Sequence, residues 1–295
     1  MTTMMFDEAR ARYCRMTDEA LERYLPASGD VLIESMRYSL LAGGKRLRPT
    51  LALAFCDALC GEPERALPAA AAVEMIHTYS LIHDDLPCMD NDTLRRGRPT
   101  NHVVYGDAVA LLAGSGLYNR ALETVMDYGT SSGLSEKQIL RSVRILCRAA
   151  GTDGILTGQV LDMKNTGECV DESYLTRVNR YKTSAMLSAP CELGCVAAGA
   201  DEDLCLAAVR FGDLLGQAFQ IRDDILDVIS TPEQLGKTPG KDSAEHKLTF
   251  AELYGVDGAQ ERVRRLSEEA LTCLEPFGDA DFLRQLTLRM CGREN

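Results

Sequence analysis

The sequence predicts an all-α protein, a bundle of roughly ten or more helices with residues 1–295 forming a single domain. Three observations carry that expectation. Apolar residues recur at intervals of three and four, as in Met36 and Leu40 or Ile139, Val143 and Leu146. Alternating β-branched runs, the mark of a half-buried strand, are nearly absent, and aromatic residues make up only 6% of the chain. Hydrophobic side chains make up 45% of the 295 residues, enough for a sizeable core, and no linker, repeat or shift in composition marks a boundary.

The elements are punctuated where Gly and Pro gather. Pro26-Ala-Ser-Gly29 is the first break, before the helical pattern that runs through Met36 and Leu40. Gly61-Glu-Pro63 is the next, and Pro68 suits the first turn of a helix carrying Glu74 and His77. Pro87 ends that helix near Asp85, which lets Asp90 fold back from a loop. Leu111–Leu122 is apolar enough for a second subunit to bury it. Breaks at Gly129 to Gly133, Gly151 to Gly154 and Thr231 to Gly240 divide the rest, and Ser135 with Gln138 reads as a capping box. Many segments are apolar on more than one face, as core helices of a large bundle are.

Charge and cysteine usage narrow the function classes. The net charge of −12 disfavours both a nucleic-acid binder, which holds phosphates with an excess of clustered Lys and Arg, and an electrostatic membrane anchor. No apolar stretch reaches the ~18 residues of a membrane span. Met1–Arg15 lacks the apolar core of a signal peptide, so the expected location is the cytoplasm. The eleven cysteines form no CxxC pair, and Cys56/Cys60 and Cys191/Cys195 fall in apolar helical segments, as reduced buried thiols do. The four histidines are spread out, without a cysteine cluster at zinc-ligand spacing.

Two acidic clusters carry the chemistry. The first is Asp84-Asp85-Leu-Pro-Cys-Met-Asp90 with Asp92, and the second is Asp223-Asp224-Ile-Leu-Asp227. Asp223 and Asp227 share a helix face, while Asp224 is rotated by about 100°. Carboxylates held this close repel unless a divalent cation lies between them. Cations stand nearby: Gly43-Gly44-Lys45-Arg46-Leu47-Arg48-Pro49, Arg95-Arg96-Gly97-Arg98, Lys182-Thr183, Lys237 and Lys247. Guanidinium forks beside glycine and beside magnesium-type carboxylates suit a diphosphate, whose oxygens metal and arginine can share. His77 lies seven residues before Asp84, roughly 10 Å along the same face, where it can touch a second ligand. Gln220, Gln159 and Asp162 are weaker candidates of the same kind.

Together these motifs resemble the trans-polyprenyl diphosphate synthases, the bacterial farnesyl type above all. The residues are GGKRLRP, Ile82-His-Asp-Asp-Leu-Pro-Cys-Met-Asp-Asn-Asp with Leu94-Arg-Arg-Gly-Arg-Pro-Thr, Gly158-Gln159, Tyr181-Lys182-Thr183, Gln220 to Asp227 and Leu235-Gly-Lys237. They occur in the family's order over roughly residues 30–255. The resemblance implies a deep central cavity inside the bundle, a homodimer, and condensation of isopentenyl diphosphate with allylic diphosphates. It assigns Asp84, Asp85, Asp90, Asp223, Asp224 and Asp227 to magnesium, three ions per site with manganese able to stand in. Arg95, Lys182 and Lys237 would hold the allylic diphosphate; Gly44, Lys45, Arg48, His77 and Arg96 would hold isopentenyl diphosphate. Thr183, Gln220 and Lys247 complete the substrate-binding set. The allylic substrate ionises, the homoallylic double bond attacks the cation, and the departing diphosphate takes the proton. Thr93 and Phe250 depart from the family's commoner acidic and Tyr residues, away from the metal positions.

Tyr79, five residues before Asp84 and so about 7.5 Å down the helix, is expected to floor the channel for the growing tail, with Ser80 leaving room on its side. An aromatic there, with the two-residue insertion of the first motif, resembles the farnesyl type; the same motif run also occurs in geranylgeranyl-forming relatives. An HD-type phosphohydrolase, suggested by His83-Asp84, leaves the second acidic cluster unexplained. A class I cyclase lacks this second cluster, and a non-catalytic subunit of a heteromeric synthase usually lacks one or both.

Overall fold

The computed structural model describes residues 1–165, 171–229 and 248–292. It is a helical bundle. In order come α1 (Thr3–Tyr24), α2 (Val31–Leu40), α3 (Leu47–Cys60), α4 (Leu67–Asp84), a hairpin of β1 (Leu94–Arg95) and β2 (Arg98–Pro99), α5 (Asn101–Tyr105) and α6 (Asp107–Gly129). There follow α7 (Glu136–Ala150), α8 (Ile155–Met163), α9 (Glu172–Asn179), a π-helical turn (Arg180–Ser184), α10 (Ala185–Ala198), α11 (Glu202–Ile229), α12 (Phe250–Thr272, broken at Gly255) and α13 (Asp281–Met290).

The helix ends obey local chemistry. Asp30 accepts from the Leu32 amide at 2.8 Å, and Ser135 with Gln138 forms the expected capping box. Thr249 with Glu252 forms a second one. Gly61 and Gly199 close α3 and α10 in the left-handed conformation that glycine adopts without a Cβ penalty. Pro68 sits in the first turn of α4, and α4 ends at Asp84, two residues before the bond that Pro87 would have to break.

The core is built on α4 and α10. Ala69 to Ala72, Met75 and Ile76 of α4 are buried on every side, so this helix has no solvent face. It packs along α6, while α10 packs on α3 and α11, and α11 packs on α12. Phe55, Phe211 and Phe277 meet edge to face, with ring centroids 5.5 and 5.1 Å apart, where α3 and α11 converge. Helix α11 is, among the described residues, the one helix long and apolar enough by composition to cross a membrane, yet half of its apolar window is buried within the bundle. The described cysteines are all free thiols.

Among the described residues, the hairpin is the one departure from an all-helical reading. Arg95 pairs with Arg98 across Arg96-Gly97, both in the left-handed region at φ 53° and 72°, which is the geometry of a two-residue hairpin turn. A non-glycine residue there is strained by about 1–2 kcal/mol. Arg96 is held by donating to the Gly43 carbonyl, with its guanidinium lying against Gly44 so closely that a Cβ on Gly44 would sit 2.8 Å from Cζ.

Candidate active site

The site lies where the C-terminus of α4, the hairpin, the π-helical turn and the middle of α11 meet. After α4 ends, the chain turns back on itself: the Asp90 amide donates to the Asp84 carbonyl at 2.9 Å and the Asn91 amide to that of Leu86 at 3.1 Å. Asp90 thus returns beside Asp84. Burial, together with the Asp90 and Asp85 carboxylates, pushes the Asp84 carboxyl up to about 6, against the opposing pull of Lys182 and Arg95. These five residues come from three separate motifs, and one field joins them.

Asp85 is differently placed. It is buried and gripped by Arg95, whose Nε donates to both carboxylate oxygens at 2.8 and 2.9 Å and whose Nη2 donates to Oδ1 at 2.6 Å. Asp85, expected as a metal ligand, fixes the direction of Arg95 in the metal-free protein, with Asp92 3.6 Å from the same guanidinium. Lys182 Nζ donates to Asp162 Oδ2 at 2.7 Å, which raises Asp162 from a minor candidate to a partner of the site. The Thr183 hydroxyl donates to Gln220 Oε1 at 2.9 Å, and Gln220 Nε2 donates to Asp224 Oδ1 at 3.1 Å. The Phe250 amide donates to the other oxygen of Asp224 at 3.1 Å.

Two cavities flank α11. One, of about 180 Å³, is lined by Asp90, Asp162, Lys182, Thr183, Gln220 and Asp224. The other, of about 670 Å³, is lined by Gly44, Lys45, Arg48, His77, Arg96, Phe219 and Asp223, among others. Neighbouring residues of a helix point about 100° apart, so Phe219 and Asp223 face one cavity while Gln220 and Asp224 face the other. The second is strongly cationic. Burial first, then Arg48, Arg96, Arg95 and Arg46, holds His77 well below its usual range, so it stands as a neutral imidazole. Burial also lowers Arg48, and its Nε makes no hydrogen bond among the described residues.

Not every expected residue faces these spaces. Arg46, one of three cations in the Gly43–Pro49 turn, borders the arginine-rich cavity but spends its buried guanidinium on Glu74, Asp18 and the Leu40 carbonyl. Tyr79 is buried at the seam of α4 and α6, its ring edge-on to His83 and Tyr118 at centroid distances of 5.2 and 5.8 Å. The Ser80 hydroxyl donates back to the His77 carbonyl at 2.8 Å. Lys237, Lys247 and the run from Leu235 lie outside the described residues. Within Leu111–Leu122, Leu111 and Leu112 are exposed, whereas Ala113, Leu117 and Ala121 are buried.

Among the described residues no three carboxylate, thiol or imidazole groups converge as a ready-made metal cage. That is compatible with magnesium, which commonly takes only one or two carboxylates and completes its shell with water and substrate phosphate oxygens. The donor set is of the right kind: hard oxygens, one with its acidity already weakened by burial and by like charges.

Residues 30–281 match the family model described as polyprenyl synthetase. The geranylgeranyl pyrophosphate synthase, chloroplastic, of Capsicum annuum is 47% identical over 248 residues, 84% of this chain and 67% of that one. The dimethylallyltranstransferase of Fischerella ambigua is 44% identical over 247 residues, 83% of this chain and 71% of its own. Among solved structures, an apo FPP/GFPP synthase from Zymomonas mobilis superposes with a TM-score of 0.87 at 33% identity, covering 98% of this chain and 100% of that one. The chain belongs to the polyprenyl synthetase family of trans-prenyltransferases.

Proposed function

We propose that the protein condenses isopentenyl diphosphate head-to-tail with dimethylallyl and geranyl diphosphates, releasing farnesyl diphosphate. The observation that carries this reading is the pair of cavities on either side of α11, one rich in carboxylates with Lys182 and one rich in arginines. Lys182 and Arg95 hold the allylic diphosphate, with Lys237 assigned from sequence alone. Lys45, Arg48, neutral His77 and Arg96 hold the isopentenyl diphosphate. Magnesium held by Asp84, Asp85 and Asp90, with Asp223, Asp224 and Asp227 opposite, would neutralise charge on the departing diphosphate as a Lewis acid; manganese can substitute. The C–O bond of the allylic ester breaks with its electron pair leaving on oxygen. The Thr183 hydroxyl and Gln220 carbonyl oxygens present negative dipole ends to the allylic cation. The isopentenyl double bond then closes the new C–C bond, and the released diphosphate accepts the proton lost from the adjacent carbon.

Tyr79 supports a fifteen-carbon limit, since a buried ring blocks the α4–α6 seam. A second reading, geranylgeranyl diphosphate synthesis, is favoured by the similarity to the geranylgeranyl pyrophosphate synthase of Capsicum annuum. The test is incubation with isopentenyl diphosphate, dimethylallyl diphosphate and magnesium, followed by mass analysis of the dephosphorylated alcohols. The expected result is a dominant farnesol peak that moves to longer alcohols in Tyr79→Ala. Geranylgeraniol from the wild type establishes the second reading and removes Tyr79 as the floor. Absence of condensation with every allylic starter refutes both and favours a non-catalytic subunit.

The exposed Leu111 and Leu112 of α6, with Val103 and Val104 of α5, support a homodimer joined through this face. Free thiols at the described cysteines support a reducing compartment such as the cytoplasm.

A further inference from the structure

The buried side of the arginine-rich cavity contains an ion-pair network that touches no expected ligand position. Arg46 adopts φ 47°, ψ 35°, a left-handed conformation that a side chain with a Cβ occupies only under constraint. Each of its three guanidinium nitrogens donates a hydrogen bond. Nη1 donates to Glu74 Oε1 at 2.8 Å, Nε to Asp18 Oδ1 at 2.9 Å, and Nη2 to the Leu40 carbonyl at 3.0 Å. Both the Arg46 and Glu74 side chains are 2% exposed. A buried pair of this kind is not retained for net stability, because desolvation offsets most of the attraction. Its consequence is geometric: the pairing holds Arg46 in its left-handed form, and its neighbours Lys45 and Arg48 line the same cavity from the turn so fixed.

Glu74 also acts directly on the cavity's charge. It lies one helical turn before His77 and lines the same space. Seven basic residues border that cavity (Arg10, Lys45, Arg46, Arg48, Arg96, Arg222 and Arg289) against two acidic ones, Glu74 and Asp223. Burial weakens the protonated forms of Arg48 and Arg96, and Glu74 is the anion that opposes this at both.

We infer that Glu74, acting through Arg46, is a positioning residue for the second substrate's diphosphate: it fixes the Gly43–Pro49 turn in its left-handed form and so sets where Lys45 and Arg48 stand along the cavity wall. The inference rests on the proposed assignment of this cavity to isopentenyl diphosphate. Glu74 touches neither substrate, so its removal acts on one substrate's binding and spares the other's.

The experiment compares wild type with Glu74→Gln, Glu74→Ala and Arg46→Lys. Calorimetric binding of isopentenyl diphosphate without metal is measured first, then steady-state kinetics with each substrate varied. Glu74→Gln keeps the size of the side chain and one acceptor for Arg46, so it folds and loses only the charge. The expected result is a rise of roughly ten- to a hundredfold in both Kd and KM for isopentenyl diphosphate in Glu74→Ala and Arg46→Lys, the worth of a charged hydrogen bond, with a smaller rise in Glu74→Gln. The KM of the allylic substrate and the saturated kcat stay within a few-fold of wild type. Equal losses for both substrates, tracking a fall in Tm, overturn the inference in favour of a merely structural pair. Unaltered isopentenyl diphosphate binding in the variants overturns it as well. A wild type that binds no isopentenyl diphosphate refutes the assignment of the cavity itself, which separates that failure from failure of the role given to Glu74.

Discussion

Asp84→Asn lowers turnover by roughly a thousandfold or more while leaving the protein folded, because the exchange keeps side-chain volume and removes only charge. The backbone turn that brings Asp90 back depends on the Asp84 carbonyl, which the substitution does not touch. The loss falls on kcat, since charge on the leaving diphosphate develops fully only as the C–O bond breaks. A stability measurement separates this from damage to the fold. In metal-free protein the Asp84 carboxyl is pushed up to about 6, above the ordinary aspartate value of about 4, chiefly by burial and then by Asp90 and Asp85. Between those two values the native state binds a proton that the unfolded state releases. The stabilisation is therefore present at pH below 4 and is lost as pH rises through 6. Metal-free Asp84→Asn does not lose this increment, so at pH 7.5 it unfolds at an equal or higher urea concentration than wild type. Adding magnesium with inorganic pyrophosphate raises the midpoint of wild type and not of the variant. Metal affinity of wild type falls about tenfold per pH unit below 6, as one bound proton must leave. A variant that is both inactive and destabilised at every pH defeats this account, and so does a variant that retains more than a tenth of wild-type turnover.

What the sequence shows of this site and what it hides divide along a physical line. The end of α4 was legible because Pro87 acts locally, and the capping box at Ser135 because its partners are three residues apart. The split of Phe219 and Asp223 from Gln220 and Asp224 follows from helical geometry alone. Arg46 was not legible. Among three cations in one turn, the one that points inward is selected by Glu74, 28 residues away, and by the strained backbone that this pairing sustains. A lone Glu inside the apolar run Ala-Ala-Val-Glu74-Met-Ile was the available signal, since a carboxylate in such a helix requires a buried partner. The hairpin at Leu94–Pro99 was hidden for the same reason: two-residue strands have no periodicity, and Arg96 holds its turn through Gly43. Asp85 reads as a metal ligand by its motif, and its engagement with Arg95 appears only once the hairpin is in place. The π-helical turn at Arg180–Ser184 carries no sequence pattern of its own and is set by what packs on it.

That packing makes Gly158→Ala the most destructive small change available near the site. A Cβ at Gly158 of α8 would lie 2.3 Å from the Lys182 amide nitrogen, 2.5 Å from Lys182 Cα and 2.7 Å from the Tyr181 carbonyl carbon. All three are backbone atoms, so no side-chain rotation relieves the clash, and α8 must separate from the π-helical turn. On the other side the turn is held as tightly, since a Cβ on Gly216 of α11 would lie 2.6 Å from Ser184 Cα. With no direction in which to yield, the fold loses about 3 kcal/mol, the upper range for overpacking a close contact. The displacement also falls on the Lys182–Asp162 pair at 2.7 Å and the Thr183–Gln220 bond at 2.9 Å, which link the turn to α8 and α11. The KM for the allylic diphosphate therefore rises and kcat falls, while the KM for isopentenyl diphosphate, whose proposed cavity lies on the far side of α11, changes little. Gly278→Ala is the control: nothing lies within 4 Å of its Cβ position, so there the substitution is neutral or slightly stabilising through the unfolded chain. Urea midpoints for the two variants, with kinetics for both substrates, decide the matter. Gly158→Ala as stable as Gly278→Ala would mean that the turn has slack, and Lys182 would then owe its position to its ion pair with Asp162 rather than to the glycine that lets α8 approach.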